Sequence, residues 1–359
     1  MINKRFTVKI YQNNGTTFIR SLKPSEVKGV PSFASQINGG FGQCALDLNL
    51  PFDDFGEGTD VDFMHIVKIY VSDENNTLGR LVYTGFISAY KPYIDGGKQG
   101  VKVTLLGLVS LLSFAYYKSG ASFTVAHVGV DPSAIMKAII DHFNTIYSGS
   151  LLGYNAVGTT VDSVGVNVTY TFTEEKWLDA LTHIFGTVGA GWYWHIDKLG
   201  QLYLKQKPVT ATHKFTIGKD VEVVEVDKSA ETVDNKCRVK YGASTSDYND
   251  ATSITRFGTR ESIVTDNSIQ DATTAAQRAT QEVNDNKVEK IKARITINSN
   301  YDLETIEVGD TCQILNLSKD QSTFNNNMLI VSVAYNFDKV TVELEQQTKF
   351  SIELKKFIS

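Results

Sequence analysis

Short runs rich in β-branched and aromatic residues, each closed by a turn-forming cluster, recur through the first hundred residues and constrain the fold more than any other feature. The runs cover residues 6–11, 44–50, 66–71, 81–90 and 101–106. Between them stand Asn13-Asn14-Gly15, Gly56-Glu57-Gly58, Asn75-Asn76-Thr77 and Asp95-Gly96-Gly97. Such side chains suit a pleated, half-buried surface, and Gly and Asn supply turn geometry. With no helical pattern between them, the runs predict an antiparallel barrel or sandwich and not alternating β-α units. At 359 residues the chain has room for two or three units.

The pattern changes in the middle. Asp131-Pro132 is a helix start, followed by an apolar stripe of Ile135, Ile139, Phe143 and Ile146. A second helix enters through Thr173-Glu174-Glu175, carries Trp177, Leu178, Leu181, Ile184, Phe185 and Val188, and ends at Gly189 and Gly191. Residues 192–196 and 201–204 form a hairpin across Asp197-Lys198-Leu199-Gly200. Residues 118–207 therefore read as a small α+β unit inserted into a β protein, with its clearest boundary near Pro208. In the last third, strands are expected at 221–226, 236–241, 253–257 and 262–265, then one helix over about 271–286. Residues 290–297 alternate with period two: Ile291, Ala293, Ile295 and Ile297 should point inward, and Lys290, Lys292, Arg294 and Thr296 outward. Strands at 312–316, 328–335 and 340–345 follow, the last two joined by Asn336-Phe337-Asp338-Lys339.

Templates for chemistry fail one after another. With 35 basic and 40 acidic residues the net charge is −5, which excludes a generally polyanion-binding cation. Cys44, Cys237 and Cys312 are too scattered for a zinc site or a disulfide framework. Gly39-Gly40-Phe41-Gly42 has Ala45 where a dinucleotide fingerprint needs its third glycine, so a loop is favoured; Gly189-Ala190-Gly191 fails likewise. His65, His127, His142, His183, His195 and His213 include no pair at clamp spacing. Residues 53–62 hold Asp53, Asp54, Glu57, Asp60 and Asp62 without the order a calcium loop requires, and Asp73-Glu74-Asn75-Asn76-Thr77 has Leu78 where that loop needs glycine. Both read as solvated acidic loops. Core packing explains Trp192, Tyr193 and Trp194 more simply than a sugar platform, because alternation turns Tyr193 away from its neighbours. The Lys290, Lys292 and Arg294 stripe reads as a solvated or subunit-facing surface rather than a DNA contact. No catalytic, cofactor-binding or metal-ligating residue is assigned, no cofactor is expected, and the chain is not expected to be an enzyme. The first six residues lack the apolar stretch of a signal peptide, and the longest apolar candidate, residues 103–114, is too interrupted to span a bilayer.

The order of features nonetheless resembles one family. Ile37-Asn38-Gly39-Gly40-Phe41-Gly42, Leu46-Asp47-Leu48-Asn49-Leu50, Val67-Lys68-Ile69-Tyr70-Val71 and Leu81-Val82-Tyr83-Thr84-Gly85-Phe86-Ile87 look like the first barrel of phage tail hub proteins. Asn235-Lys236-Cys237-Arg238-Val239-Lys240-Tyr241-Gly242 is similar to a recurring strand of that family, and Gly258-Thr259-Arg260-Glu261 leads into its Ala-rich helix. Ile306-Glu307-Val308-Gly309-Asp310-Thr311-Cys312 carries its Gly-Asp turn, and Met328 to Tyr335 ahead of Asp338-Lys339-Val340 completes the match.

The resemblance implies a mainly β chain with an α+β insertion: two β-barrel domains, residues 1–117 and 208–359, around a small α+β domain, residues 118–207. It implies a homotrimer whose six barrels form a ring with pseudo-sixfold symmetry. The tail tube or a distal tail protein would sit above and a spike or tip protein below, with a channel for the tape-measure protein and DNA. The expected location is the distal tail or baseplate of a virion, after synthesis in the host cytoplasm and without stable membrane insertion. An acidic lumen, with residues 53–62 on its wall, is a further expectation. The chain stops at Ser359 soon after the second barrel, so the lytic extension of longer relatives is not expected. The alternatives are a tail-associated cell-wall hydrolase and a receptor- or carbohydrate-binding tail protein.

Overall fold

A computed structural model describes residues 4–72, 79–147, 151–155, 160–188, 191–315 and 327–346. The N-terminal third contains β1 (Arg5–Tyr11), β2 (Phe18–Leu22), β3 (Val27–Gln36), β4 (Gly39–Gly40), β5 (Gln43–Leu48), β6 (Ile66–Ser72), β7 (Arg80–Asp95) and β8 (Lys98–Gly107). The middle contains β9 (Thr124–Val130), α1 (Pro132–Ile146), β10 (Val168–Thr173), α2 (Trp177–Phe185), β11 (Trp192–Ile196) and β12 (Leu202–Gln206). Next come β13 (His213–Thr216), β14 (Val221–Ser229), β15 (Lys236–Tyr241), β16 (Ser244–Asn249), α3 (Ala251–Phe257) and β17 (Glu261–Thr265). Helix α4 (Ala272–Asn286) and strands β18 (Lys290–Asn298), β19 (Thr311–Leu315), β20 (Met328–Asn336) and β21 (Lys339–Gln346) close the order. The chain is mainly β, with a smaller α+β part.

One hydrogen-bonded path, β14-β18-β21-β20-β3-β5-β8-β7-β6-β1-β2, holds most of the strands, with β19 and β13 attached beside β20. It consists of two runs, one from each end of the sequence, joined where Ser332–Asn336 of β20 pairs antiparallel with Ser32–Gln36 of β3. Aromatic rings lock this seam: Phe33 stacks on its register partner Tyr335 at 5.1 Å and packs on Tyr83 at 4.9 Å. Both runs cover one core, from Val8, Ile69 and Leu105 to Ile295, Val342 and Leu344. A second core gathers α1, α2 and the β11–β12 hairpin, and it also takes Cys237, Val239, Ala275, Ala279 and Val283 from β15 and α4. Residues on both sides of position 208 therefore share it.

Local chemistry accounts for the helices. Asp131 caps α1 by accepting from the Ser133 N–H at 2.8 Å, with Pro132 in the first turn. Ile135, Ile139 and Phe143 are buried as their spacing predicts, but Ile146, at the last helical position, is 47% exposed. Asp271 caps α4 through the Thr274 N–H, and Ala275, Ala279 and Val283 face the core. In β18, Ala293, Ile295 and Ile297 are buried and Lys292 and Arg294 exposed, as the alternation requires.

Residues 253–257 need correction: they are not a strand but most of helix α3, so the described residues of the last third hold two helices instead of one. The β-branched Thr252, Ile254 and Thr255 mimic a strand, yet the Asp250 carboxylate accepts from the Ser253 N–H at 2.9 Å and nucleates a helical turn. Strand β3 carries no continuous strand signal in the sequence, because Gly29 and Pro31 punctuate it. These residues fall where the β3–β5 register is interrupted, between Lys28 and Ser32, a place where proline costs no ladder bond. The Asp73–Thr77 loop, Gly189 and the side chains of Lys290 and Ile291 lie outside the described residues.

Candidate functional site

Three places are candidate sites: a small, mainly apolar cavity, an Asp–His pair, and the outer surfaces of the sheets. The cavity encloses about 50 Å³ at the β3–β20 seam. Phe33, Phe41, Val333 and Tyr335 line it beside Ser35, His195 and Asp197. His195 is 5% exposed and lies between Tyr193 and the cross-strand Tyr203, with rings nearly parallel to both. Serine, histidine and aspartate thus share a wall, but no proton relay links them. Ser35 Oγ and His195 Nδ1 have no hydrogen-bond partner, and Asp197 Oδ1 accepts instead from the Leu199 and Gln201 N–H groups, each at 2.8 Å. The volume suits a water or two and not a substrate.

Burial acts on these two titrating groups in opposite senses. It pushes the His195 imidazole down to about 4 and lifts the Asp197 carboxyl to about 6, the latter against the pull of its two N–H donors. His195 therefore contributes stability that is fully present above its unfolded value near 6.5 and lost as the pH falls toward 4. Asp197 protonates earlier in the folded than in the unfolded chain, so its contribution grows as the pH falls below 6. The two cancel over much of this window. Asp197→Asn should expose the histidine loss: relative to the parent, its urea midpoint should fall between pH 6.5 and 4.5, by the equivalent of about 2 kcal/mol. An unchanged difference between the two proteins across that range would refute the cancellation.

His213 is the second candidate. Its Nε2 meets Asp310 Oδ2 at 3.0 Å and its Nδ1 meets Tyr301 Oη at 2.9 Å, so both ring nitrogens are occupied. Asp310 also accepts from the Glu307 N–H at 3.1 Å. This clamp ties β13 to the Gly-Asp turn and to the loop after β18. Cys312, next along β19, is buried, and desolvation drives its thiol far above the usual range, which opposes thiolate formation. The Cys44 thiol is pushed up to about 12 by the same cause. Among the described residues no group of three or more His, Cys, Asp or Glu gathers as a metal site would, and no helix is long and apolar enough to cross a membrane.

The surfaces are better defined. On the outward face of β18, Lys292 stands in register between Asp227 of β14 and Glu345 of β21, and Arg294 between Glu225 and Glu343. Opposite side chains on neighbouring strands have Cβ atoms about 5 Å apart. The basic stripe is thus framed by four carboxylates, each from a strand remote in sequence. Part of the acidic loop is neutralised in the same way: Arg20 reaches Asp54 at 3.2 Å and Asp60 at 3.4 Å and binds Glu26 at 3.0 Å. Asp53 and Glu57 remain exposed.

Of the aromatic triplet, Trp194 and Tyr193 are buried, and Trp192 lines an open groove of about 690 Å³ beside α4. Gln277, Gln281, Thr280 and Asn284 face this groove with neutral polar groups. Sequence reasoning passed over these residues because their faces of α4 are amide and hydroxyl, with no periodic apolar signal.

No family model matches the chain, and no curated protein matches it in sequence. Solved structures do match. The 43 kDa tail protein of prophage MuSo2 from Shewanella oneidensis is 13% identical, with 94% of this chain and 97% of that one covered and a TM-score of 0.59. A tail protein from Neisseria meningitidis is 11% identical over 96% of this chain and 97% of its own, with a TM-score of 0.63. An Escherichia coli component of the type VI secretion system, described as structurally similar to the bacteriophage T4 tail proteins gp27 and gp5, is 10% identical over 95% and 77%, with a TM-score of 0.54. At such identities the likeness is one of architecture, and over nearly its whole length this chain has the fold of these tail proteins.

Proposed function

We propose that the chain is a structural hub of a phage tail or a related injection apparatus. Three copies close a ring with pseudo-sixfold symmetry, which joins a hexameric tube to a trimeric spike or tip and leaves a channel for tape measure and DNA. It works by shape, with no catalytic step, in the distal part of a virion. The proposed units are residues 1–117, 118–207 and 208–359, with β15 and α4 lending side chains to the middle core.

The observation that carries this reading is the β3–β20 seam. It holds two strand runs from opposite ends of one chain side by side over a shared core. Three such chains present six runs, which is what a sixfold-to-threefold adaptor needs, and head-to-tail contacts around an axis close such a ring. The fold of the tail proteins supports it. The channel wall is read as net acidic, supported by the four carboxylates around Lys292 and Arg294 and by the exposed Asp53 and Glu57.

Light scattering on the purified chain should give about three times 39.7 kDa, and low-resolution images should show an annulus. A monomer at micromolar concentration, alone and with purified tail tubes, would sink the ring. A basic inner wall in the reconstruction would overturn the acidic channel. Soluble fragments released from host peptidoglycan would overturn the non-enzymatic part.

A further inference from the structure

Strands at the rim of a sheet offer unpaired N–H and C=O groups, and proteins ordinarily blunt such edges with charge, proline or a covering segment. Most open edges here follow that rule. Strand β14 carries Glu222, Glu225 and Asp227; β2 carries Arg20; β13 carries Lys214; β16 carries Asp247; β17 carries Glu261. Strand β12 is covered by bridges from Gly153 and Val161, and β10 by one from Ile269. Strand β9 is the exception. It pairs only with β10 among the described residues, and residues 119–130 contain no Asp, Glu, Lys or Arg.

The geometry of β9 shows which part is open. Glu174 N–H donates to Phe123 C=O at 2.9 Å, and the register then sets Val125 against Phe172 and His127 against Tyr170. In an antiparallel ladder alternate residues bond the same neighbour, so Thr124 and Ala126 turn their main-chain groups to the free side. The Ser122 hydroxyl is within hydrogen-bond distance of the Thr124 N–H and C=O, leaving Ala126 and the Val128 region beyond it. A bulge at Val128–Gly129, where the register to β10 shifts, ends the pairable stretch. Val128 is 75% exposed there, and Phe123 and Tyr116, in edge contact at 5.6 Å, are exposed at the other end.

We propose that β9 receives an extended, uncharged segment of a neighbouring tail component, which adds as a third strand to the β10–β9 sheet along Thr124–Val128. This proposal deepens the tail-hub reading and rests on it. Main-chain bonds to Ala126 and Val128 hold the segment, and its alternate side chains lie over Thr124, Ala126 and Val128. Those side chains are aliphatic or hydroxylic, because a charge placed opposite this edge loses water and meets no counter-charge. A second copy of the same edge is the wrong occupant. Pairing β9 with itself is a two-fold contact, which closes a dimer and not a ring of three.

Hydrogen exchange of the outward-facing Ala126 and Val128 amides, resolved residue by residue by fragmentation mass spectrometry on the purified chain and on purified tails containing it, tests the proposal. Exchange should be fast in the free chain and slower by about a hundredfold in the tail. Ala126→Pro removes the outward N–H, and Val128→Lys puts a charge on the exposed face. Each should keep the parent's thermal midpoint and oligomer mass but lose the protection, along with incorporation into tails. Equal exchange in both states overturns the proposal and leaves the tail reading intact. Protection already present in the purified chain overturns it in favour of a second copy if it depends on concentration, or of self-coverage if it does not. Absence of the chain from purified tails overturns the tail reading, and this proposal with it.

Discussion

Replacing Gly309 by alanine is expected to destabilise the protein by about 3 kcal/mol. Two costs add. The backbone of Gly309 has φ +88°, a region that costs an L-residue about 1–2 kcal/mol. An ideal Cβ would also lie 2.3 Å from Cε2 of the buried Tyr193 ring, so either the ring or the turn must shift. The turn itself is anchored, with Gly309 N–H donating to Ile330 C=O at 2.9 Å and Ile330 N–H returning to Asp310 C=O at 2.8 Å. Denaturant titration of Gly309→Ala, Tyr193→Ala and the double variant separates the terms. The double variant should cost less than the sum, because the clash vanishes and only the backbone strain remains. Strict additivity would show that the ring contact is irrelevant.

The second large effect is expected at Asn235. Its side chain is fully buried, donates from Nδ2 to Gly258 C=O at 2.8 Å and accepts at Oδ1 from the Arg260 N–H at 2.9 Å. Its C=O accepts from the N–H of Asp250, the residue that caps α3. The side-chain amide therefore joins the start of β15 to the end of α3 and the approach to β17, while the main-chain carbonyl holds the start of α3. Asn235→Ala strands a buried donor and a buried acceptor, at about 1–3 kcal/mol each. Asn235→Asp keeps the shape and loses the donor. Desolvation must raise the new carboxyl above its unfolded value near 3.9, so its deficit should be full at neutral pH and shrink as the pH falls through the folded value. The protonated acid can then donate to Gly258. An Asn235→Asp deficit equal at pH 7 and pH 5 would refute the clamp.

These two residues also show what kind of information the sequence holds. Asn235 and Gly309 stand in motifs that could be read along the chain, but what each motif is for is visible only in three dimensions. Tyr193, the ring over Gly309, belongs to a different segment, and Gly258 is separated from Asn235 by two strands and a helix. Helices α1 and α4 were readable because a cap and a periodic face are local signals. The α3 segment was misread because its cap competes with a β-branched run, and packing at Asn235 decides between them.

From the sequence alone followed the β-rich ends, the helical middle, the alternation in β18 and the order of features that resembles a tail hub, since each rests on residues within one turn or one strand of each other. The tertiary structure alone decided that the ends join at β3 and β20, that the cations of β18 are framed by acids from β14 and β21, that Ser35, His195 and Asp197 share a wall without a relay, and that β9 is the uncharged open edge. Pairing across a sheet brings together residues separated by tens to hundreds of positions, and no local propensity records which strand will lie beside which.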